Sequence, residues 1–280
     1  MLYGLLLMLL ASLCWSALDV QRKYLVQKMT PLTLTAALCF GQAILFLLAY
    51  GAVGFPIPDV GYWIYGVLCS LIALVAALGL NWALRLSPLS QCIPMLCLTP
   101  AFAVIHGYLL LGETLNTPQI IGLVLSAVGA AGFGLEKGWS RAKGAYMMVG
   151  VAFLFSLTMA LDKVALQHAS ITAHAFFQSS LITVLLSLVM MVLRKGADVQ
   201  HIWDSKGLYF SAVLFFAMAV GLQLEAVQYL DISLLEAFKR CIGLTSAIVA
   251  GYWFFQEPIT GKKMASASLL ALGVCVVLLA

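Results

Sequence analysis

The chain has 280 residues, of which 63% are hydrophobic and only 9% are charged, and its formal net charge is +4. This composition leaves far too little polar surface to coat a water-soluble globule, so the outer face must contact lipid. The small positive charge forms no basic stripe, which excludes a nucleic-acid-binding protein.

Ten apolar segments follow one another along the chain, and each is close to the ~20 residues that cross ~30 Å of hydrocarbon as a helix. Prolines, polar residues and charges separate them. None alternates as a barrel strand does, so the sequence predicts an all-α integral membrane protein with ten transmembrane helices. In chain order, segments 1 to 10 are 2–24, 32–54, 61–85, 90–112, 117–135, 144–166, 172–194, 207–229, 233–255 and 261–280.

The second half of the chain repeats the first. When residue n is laid over residue n+144, matched pairs include Gly107 with Gly251, Glu113 with Glu257 and Gly129 with Gly273. Asp19 falls on Asp162 when the offset is one residue shorter. The predicted domains are two five-helix repeats, 1–138 and 144–280. Because five is odd, the repeats must be inverted, related by a pseudo-two-fold axis in the membrane plane.

Lysine and arginine side chains in the short loops predict the orientation of the chain in the membrane. Loops after even-numbered segments carry only Lys163. Loops after odd-numbered segments, with the adjoining helix ends, carry Arg22, Lys23, Lys28, Arg85, Lys137, Arg141, Lys143, Arg194, Lys195, Lys206, Lys262 and Lys263. This distribution predicts that both termini lie outside the cytoplasm.

The first half of segment 9 contains Glu236, Lys239 and Arg240. At 100° per residue these three side chains share one arc about 100° wide, so they face the same side of the helix. A guanidinium and an ammonium together suit a carboxylate or phosphate group, which predicts an anion-binding site. The alternative is a structural ion cluster in which Glu236 pairs with both cations.

Segment 1 carries a second polar stripe that includes Trp15, Asp19, Arg22 and Lys23. Asp19 and its repeat mate Asp162 are candidates for binding substrate or for loading and releasing a proton during transport. The alternative is that the two carboxylates lie at wet helix ends. For Arg22 and Lys23 we expect snorkelling to the membrane surface rather than a role in the site.

Three other polar residues and two prolines lie within the apolar segments. Glu225, late in segment 8, is either a coupling carboxylate or a structural hydrogen-bond partner. We expect His106 and His174, lone imidazoles in apolar helices, to be satisfied packing residues. Pro94 and Pro100 each remove a backbone donor, so segment 4 should be bent or unwound.

Seven cysteines lie within or at the edge of the apolar segments, where a thiol serves as a small hydrophobe. Their spacing predicts neither a disulfide framework nor a metal site, and no cofactor is expected. The chain has no His-Glu-x-x-His zinc motif and no Gly-x-Ser-x-Gly nucleophile elbow. We therefore expect a protein that is not an enzyme, with an intramembrane enzyme as a minor alternative.

A Gly-Glu pair ends segment 4, Gly112-Glu113, and Gln256-Glu257 takes its place at the end of segment 9. In each half a segment rich in small residues follows. Ten helices in two such copies resemble the EamA-type members of the drug/metabolite transporter superfamily. The chain departs from the family pattern at Gln256, where glycine is usual. The resemblance implies a central cavity, alternating access by rocking, and both termini in the cytoplasm, opposite to the side that the loop charges predict.

The Lys239-Arg240 pair also resembles the Lys-Arg pair by which related sugar-phosphate and nucleotide-sugar carriers hold phosphate. The predicted function is a secondary active transporter of a small polar metabolite, anionic or zwitterionic, coupled to protons or to exchange. The alternative is an exporter of hydrophobic or cationic compounds that binds them through acidic groups. The candidate substrate-binding residues are Trp15, Asp19, Asp162, Glu225, Glu236, Lys239 and Arg240.

The predicted location is the cell membrane, with multiple passes through the bilayer. The expected partners are the lipid bilayer and a small-molecule substrate, with no nucleic acid. Segments 5 and 10 carry small residues, including Gly122, Gly129 and Gly273, that allow close helix packing. That packing suits either the bundle interior or a homodimer.

Overall fold

The computed structural model describes residues 2–114, 116–135, 143–194, 199–256 and 260–279. These ranges are helical and contain no strand. The helices are α1 (Leu2–Lys28), α2 (Pro31–Ala52), α3 (Tyr62–Leu86), α4 (Leu89–Met95), α5 (Thr99–Leu111), α6 (Thr117–Leu135), α7 (Lys143–Ala165), α8 (Ile171–Val192), α9 (Val199–Asp204), α10 (Lys206–Ala226), α11 (Ile232–Phe255) and α12 (Gly261–Leu279).

Seven helical stretches within the described ranges are long and apolar enough to cross a membrane. They are α1, α2, α3, Gln91–Leu111, Tyr146–Ala165, α8 and α10. The described parts of α6 and α12 contribute shorter apolar stretches, and α11 is the helix with Glu236, Lys239 and Arg240. Large hydrophobic side chains, among them Leu48 and Val192, are exposed along the helices and would meet lipid. The chain is an all-α, multi-pass membrane protein.

The predicted break in segment 4 is confirmed. A 3₁₀ turn, Leu96–Leu98, separates α4 from α5. Pro94 lies inside α4, and Pro100 lies in the first turn of α5, where a missing backbone donor costs little. The short helix α9, in the connection between segments 7 and 8, was not predicted from the sequence.

The packing of the helices is symmetric between the two halves. The duplication makes α1 equivalent to α7, α2 to α8 and α3 to α10. It also makes α4 and α5 together equivalent to α11, and α6 equivalent to α12. The closest packed pairs include α6 with α12, α2 with α8, α3 with α7 and α1 with α10. The packing of α5 against α7 likewise matches that of α1 against α11. Exchanging the two halves leaves these pairs unchanged, which is the signature of two-fold pseudo-symmetry.

Gly112 and Gln256, which the repeat aligns, end α5 and α11 in the same way. Both have a left-handed backbone, with φ of 67° and 52°, and their N–H groups donate to the carbonyls of Gly107 and Gly251. This is a C-terminal helix cap that usually uses glycine. The departure of Gln256 from the family pattern therefore changes the residue but not the turn.

We expect Gln256→Gly to stabilise the protein. A side chain in the left-handed region costs about 1–2 kcal/mol, and the greater chain entropy of glycine in the unfolded state offsets part of that gain. The net rise in unfolding free energy should be up to about 1 kcal/mol, measured as a higher apparent melting temperature in detergent. Gly112→Ala should lower the melting temperature, since the space around Gly112 is open and its positive φ is the obstacle. A fall in Gln256→Gly would contradict this account.

Candidate functional site

A cavity of about 110 Å³ lies between the two halves of the chain. Its wall comes from α1, α2, α3, α4, α7, α8, α10 and α11, together with Leu96 of the 3₁₀ turn. The polar lining residues are Ser12, Trp15, Ser16, Asp19, Arg22, Cys39, Thr158, Asp162, Gln178, Gln223, Lys239 and Arg240. The rest of the wall is apolar, so charged groups in it act in a medium with little competing water.

The three charged side chains predicted on α11 share one face as expected, and Glu236 pairs with both cations, as in the alternative that the sequence left open. Glu236 is fully buried, and its Oε2 accepts from Arg240 Nη2 at 2.8 Å and Arg240 Nε at 3.2 Å. Its Oε1 accepts from Lys239 Nζ at 3.1 Å. Both cations line the cavity while the carboxylate lies behind them. One acid thus neutralises part of the charge of two cations whose heads face the cavity.

Trp15 joins this cluster to α1, through Gln223 on α10. The indole Nε1 and Lys239 Nζ both donate to Gln223 Oε1, each at 2.8 Å. Lys239 Nζ also lies 5.1 Å from the centre of the Trp15 ring, within the range of a cation–π contact. Trp15 was predicted to bind substrate, whereas Gln223 was not singled out. Its amide fixes the lysine head beside the ring.

Our expectation that Arg22 and Lys23 snorkel to the membrane surface is wrong. Arg22 is only 4% exposed and lines the cavity, and Lys23 donates to the carbonyls of Leu84 and Ser87. The physical reason is that α1 continues to Lys28, one turn beyond the predicted end of segment 1. Both side chains therefore start inside the bundle rather than at its wet edge.

Arg22 has few polar contacts for a buried guanidinium. Its Nη1 lies 3.5 Å from Asp19 Oδ1, and its Nε has no hydrogen-bond partner among the described residues. The guanidinium carbon lies 5.5 Å from the Trp15 ring and 5.0 Å from the Phe216 ring. A buried donor without an acceptor costs about 1–3 kcal/mol. The single contact with Asp19 therefore leaves part of the hydrogen-bonding capacity of this guanidinium unused.

Asp162, the repeat mate of Asp19, lies on α7 and has different partners. It is 4% exposed, and its Oδ1 is 2.8 Å from Cys69 Sγ and 2.9 Å from His174 Nε2. Gln178 Nε2 donates to the same oxygen at 3.2 Å. His174 is thus buried as expected but bonds a carboxylate. The repeat mates Asp19 and Asp162 both line the cavity, and among the described residues only Asp19 has an arginine partner.

Other predicted residues lie elsewhere. Glu225 is half-buried at the end of α10, accepts from the Tyr229 hydroxyl at 3.1 Å, and is outside the cavity lining. His106 is buried and bonds Ser156 Oγ at 2.7 Å, so it is the satisfied packing residue that we expected. Glu257 lies outside the described residues.

Glu113, which the sequence marked only as part of a repeated motif, joins the two halves. Its Oε1 lies 2.8 Å from Lys163 Nζ on α7, and both its oxygens accept from the backbone N–H of Ile232, the first residue of α11. Lys163 also donates to the Leu230 carbonyl at 3.0 Å. A carboxylate at a helix N-terminus is favourable because the first-turn N–H groups lack partners.

We expect Glu113→Gln to lower the free energy of unfolding by about 1–3 kcal/mol, because Lys163 and the first turn of α11 both lose a charged acceptor. The apparent melting temperature in detergent measures the effect. Glu225→Gln is the matched control, since that carboxylate has one exposed hydrogen bond, and it should change stability by less than about 0.5 kcal/mol. Equal melting temperatures for the two variants would show that the Glu113 contacts do not stabilise the fold.

The sequence matches the EamA-like transporter family over residues 2–135 and 142–279. No curated protein matches the chain. A solved structure titled "Crystal structure of protein" aligns with a TM-score of 0.74 and 20% identity, covering 98% of this chain and 95% of its own. At that identity the likeness concerns the fold alone. Because the family matches cover both halves, this chain belongs to the EamA-like transporter family and is a membrane transporter of the drug/metabolite transporter superfamily.

Proposed function

We propose that the protein is a secondary active transporter that moves a small metabolite with a carboxylate or phosphate group, anionic or zwitterionic, across the cell membrane by alternating access. The observation that carries this proposal is a set of three cations around one cavity, the buried Arg22 and Arg240 and the partly buried Lys239. Charges at this depth cost several kcal/mol in a bilayer, so they mark functional sites by default.

The proposed architecture is ten transmembrane helices in two inverted five-helix repeats, 1–138 and 144–280. The exchange-symmetric packing supports it. In this arrangement α11 also spans the membrane, with its charged residues turned to the cavity instead of lipid. Rocking of one repeat against the other would open the cavity to each side in turn.

Arg22 is the strongest support for an anionic group on the substrate. Unlike Arg240, whose guanidinium is held by Glu236, Arg22 keeps an Nε–H without an acceptor among the described residues. A carboxylate or phosphate in the cavity could accept from Arg22 and Arg240 and approach the Lys239 ammonium. Planar guanidinium groups suit such anions because they donate two parallel hydrogen bonds.

Asp19 and Asp162 extend the proposal to zwitterions. Both carboxylates line the same cavity as the three cations, so it offers acceptors as well as donors. An ammonium group on the substrate could bind one of them while its acidic group binds the arginines. The apolar wall, which includes Phe155 and Phe216, would contact the substrate's carbon skeleton. Asp19, Asp162 and, outside the lining, Glu225 are the candidates for coupling to protons.

A ligand screen with purified protein tests the substrate class, because a ligand that binds only the folded state raises the melting temperature. We expect carboxylates, phosphates or amino acids to stabilise the protein. Arg22→Gln should weaken binding of the best ligand by about tenfold or more, as expected for a charged hydrogen bond worth about 1.5–3 kcal/mol. It is a cleaner variant than Arg240→Gln, because Arg22 has one 3.5 Å contact with Asp19 whereas Arg240 bonds the fully buried Glu236 at 2.8 Å.

Lys206→Gln is the matched control, because Lys206 lines a separate crevice between α2, α8 and α10. It should bind the ligand as the unchanged protein does. If Arg22→Gln and Lys239→Gln leave uptake into liposomes intact while Asp162→Asn abolishes it, the anion site is wrong and a cationic or hydrophobic substrate is indicated. Chemical turnover of a ligand by protein in detergent, where no gradient exists, would indicate an enzyme instead.

A further inference from the structure

We propose that Cys69, Asp162 and His174 form a binding site for one divalent cation of the zinc class, at the edge of the central cavity. The three residues come from three helices, α3, α7 and α8. One ligand atom from each lies within 4.8 Å of the other two, and all three residues are buried. This site goes beyond the proposed transport function and does not depend on it.

The spacing of the donor atoms is close to what zinc requires. Zinc takes bonds of about 2.0–2.2 Å to nitrogen and oxygen and about 2.3 Å to sulfur, so ligands around a tetrahedral ion lie about 3.4–3.6 Å apart. The observed contacts to Asp162 Oδ1 are 2.8 Å from Cys69 Sγ and 2.9 Å from His174 Nε2. Each must lengthen by less than about 1 Å to admit an ion at the centre.

His174 is held in the orientation that a metal ligand needs. Its other ring nitrogen, Nδ1, lies 3.1 Å from the Tyr62 hydroxyl. When Nε2 binds an ion, Nδ1 carries the proton and donates it to that hydroxyl. A second hydrogen bond of this kind fixes the ring and its tautomer at most histidine metal sites.

The donor set determines which ion fits. A thiolate, an imidazole and a carboxylate favour zinc and neighbouring transition metals over magnesium or calcium, which prefer oxygen alone. Binding releases the thiol proton that Cys69 otherwise donates to Asp162. With two anionic ligands, the occupied site is neutral overall, which limits the cost of burying the ion.

The ion can reach the site from the cavity. Asp162 and Gln178 line the cavity, and Gln178 Nε2 lies 3.2 Å from Cys69 Sγ and from Asp162 Oδ1. Three protein ligands leave a fourth position on zinc, for water or for Gln178 after its amide turns its oxygen inward. An ion bound here would tie α3, α7 and α8 together beside the proposed substrate.

Cobalt(II) tests the proposal directly, since its tetrahedral and thiolate charge-transfer absorption bands report both geometry and a sulfur ligand. Purified protein without a histidine tag should show these bands with one equivalent of cobalt, and zinc should displace it while magnesium should not. Cys39→Ser is the matched control, a buried cysteine elsewhere in the cavity wall, and it should keep the bands.

Cys69→Ser should lose the charge-transfer band, and His174→Gln should lower the zinc affinity further than Tyr62→Phe, for which we expect about a 10–100-fold loss. Each of these three variants is first checked for a single cooperative melting transition. Any variant that folds tests the site, because each one removes a proposed ligand or the hydrogen bond to His174. Absence of the bands in the unchanged protein, or their persistence in Cys69→Ser, would overturn the proposal.

Discussion

The burial of charge in an apolar bundle is the constraint on which the rest of this structure depends. Glu236, Lys239 and Arg240 lie within little more than one helical turn of α11, and the carboxylate bonds both cations. Because both cations pair with an acid on the same helix, part of their positive charge is neutralised within α11. The cation heads can therefore face a cavity between the repeats, where charged groups at membrane depth are tolerated.

The helices of the two repeats pack in the same pattern, but the side chains at equivalent positions differ in charge. At the 144-residue offset, the positions that mirror Glu236, Lys239 and Arg240 are Cys92, Met95 and Leu96, in the broken region around α4. One repeat thus contributes a continuous charged helix and the other an apolar, interrupted one. Duplication accounts for the symmetric packing of the helices, and divergence at these positions makes the cavity wall asymmetric.

The repeated aspartates Asp19 and Asp162 are identical residues with different surroundings. Asp19 lies beside Arg22, while Asp162 is surrounded by a thiol, an imidazole and an amide. An arginine stabilises a carboxylate differently from a thiol, an imidazole and an amide, so the two positions suit different roles. Both aspartates line the cavity, and Asp162 alone of the two belongs to the proposed metal site.

The amino-acid sequence by itself determined the all-α membrane class, the duplication, the broken fourth segment and the shared face of the α11 charges, because periodicity, length and proline chemistry act locally. Only the tertiary structure decided that Arg22 is buried, that Gln223 holds Lys239, and that Cys69 and His174 meet Asp162. These contacts join residues far apart in the chain. Their geometry depends on where each helix ends and which neighbour it packs against, and neither is encoded in a local pattern.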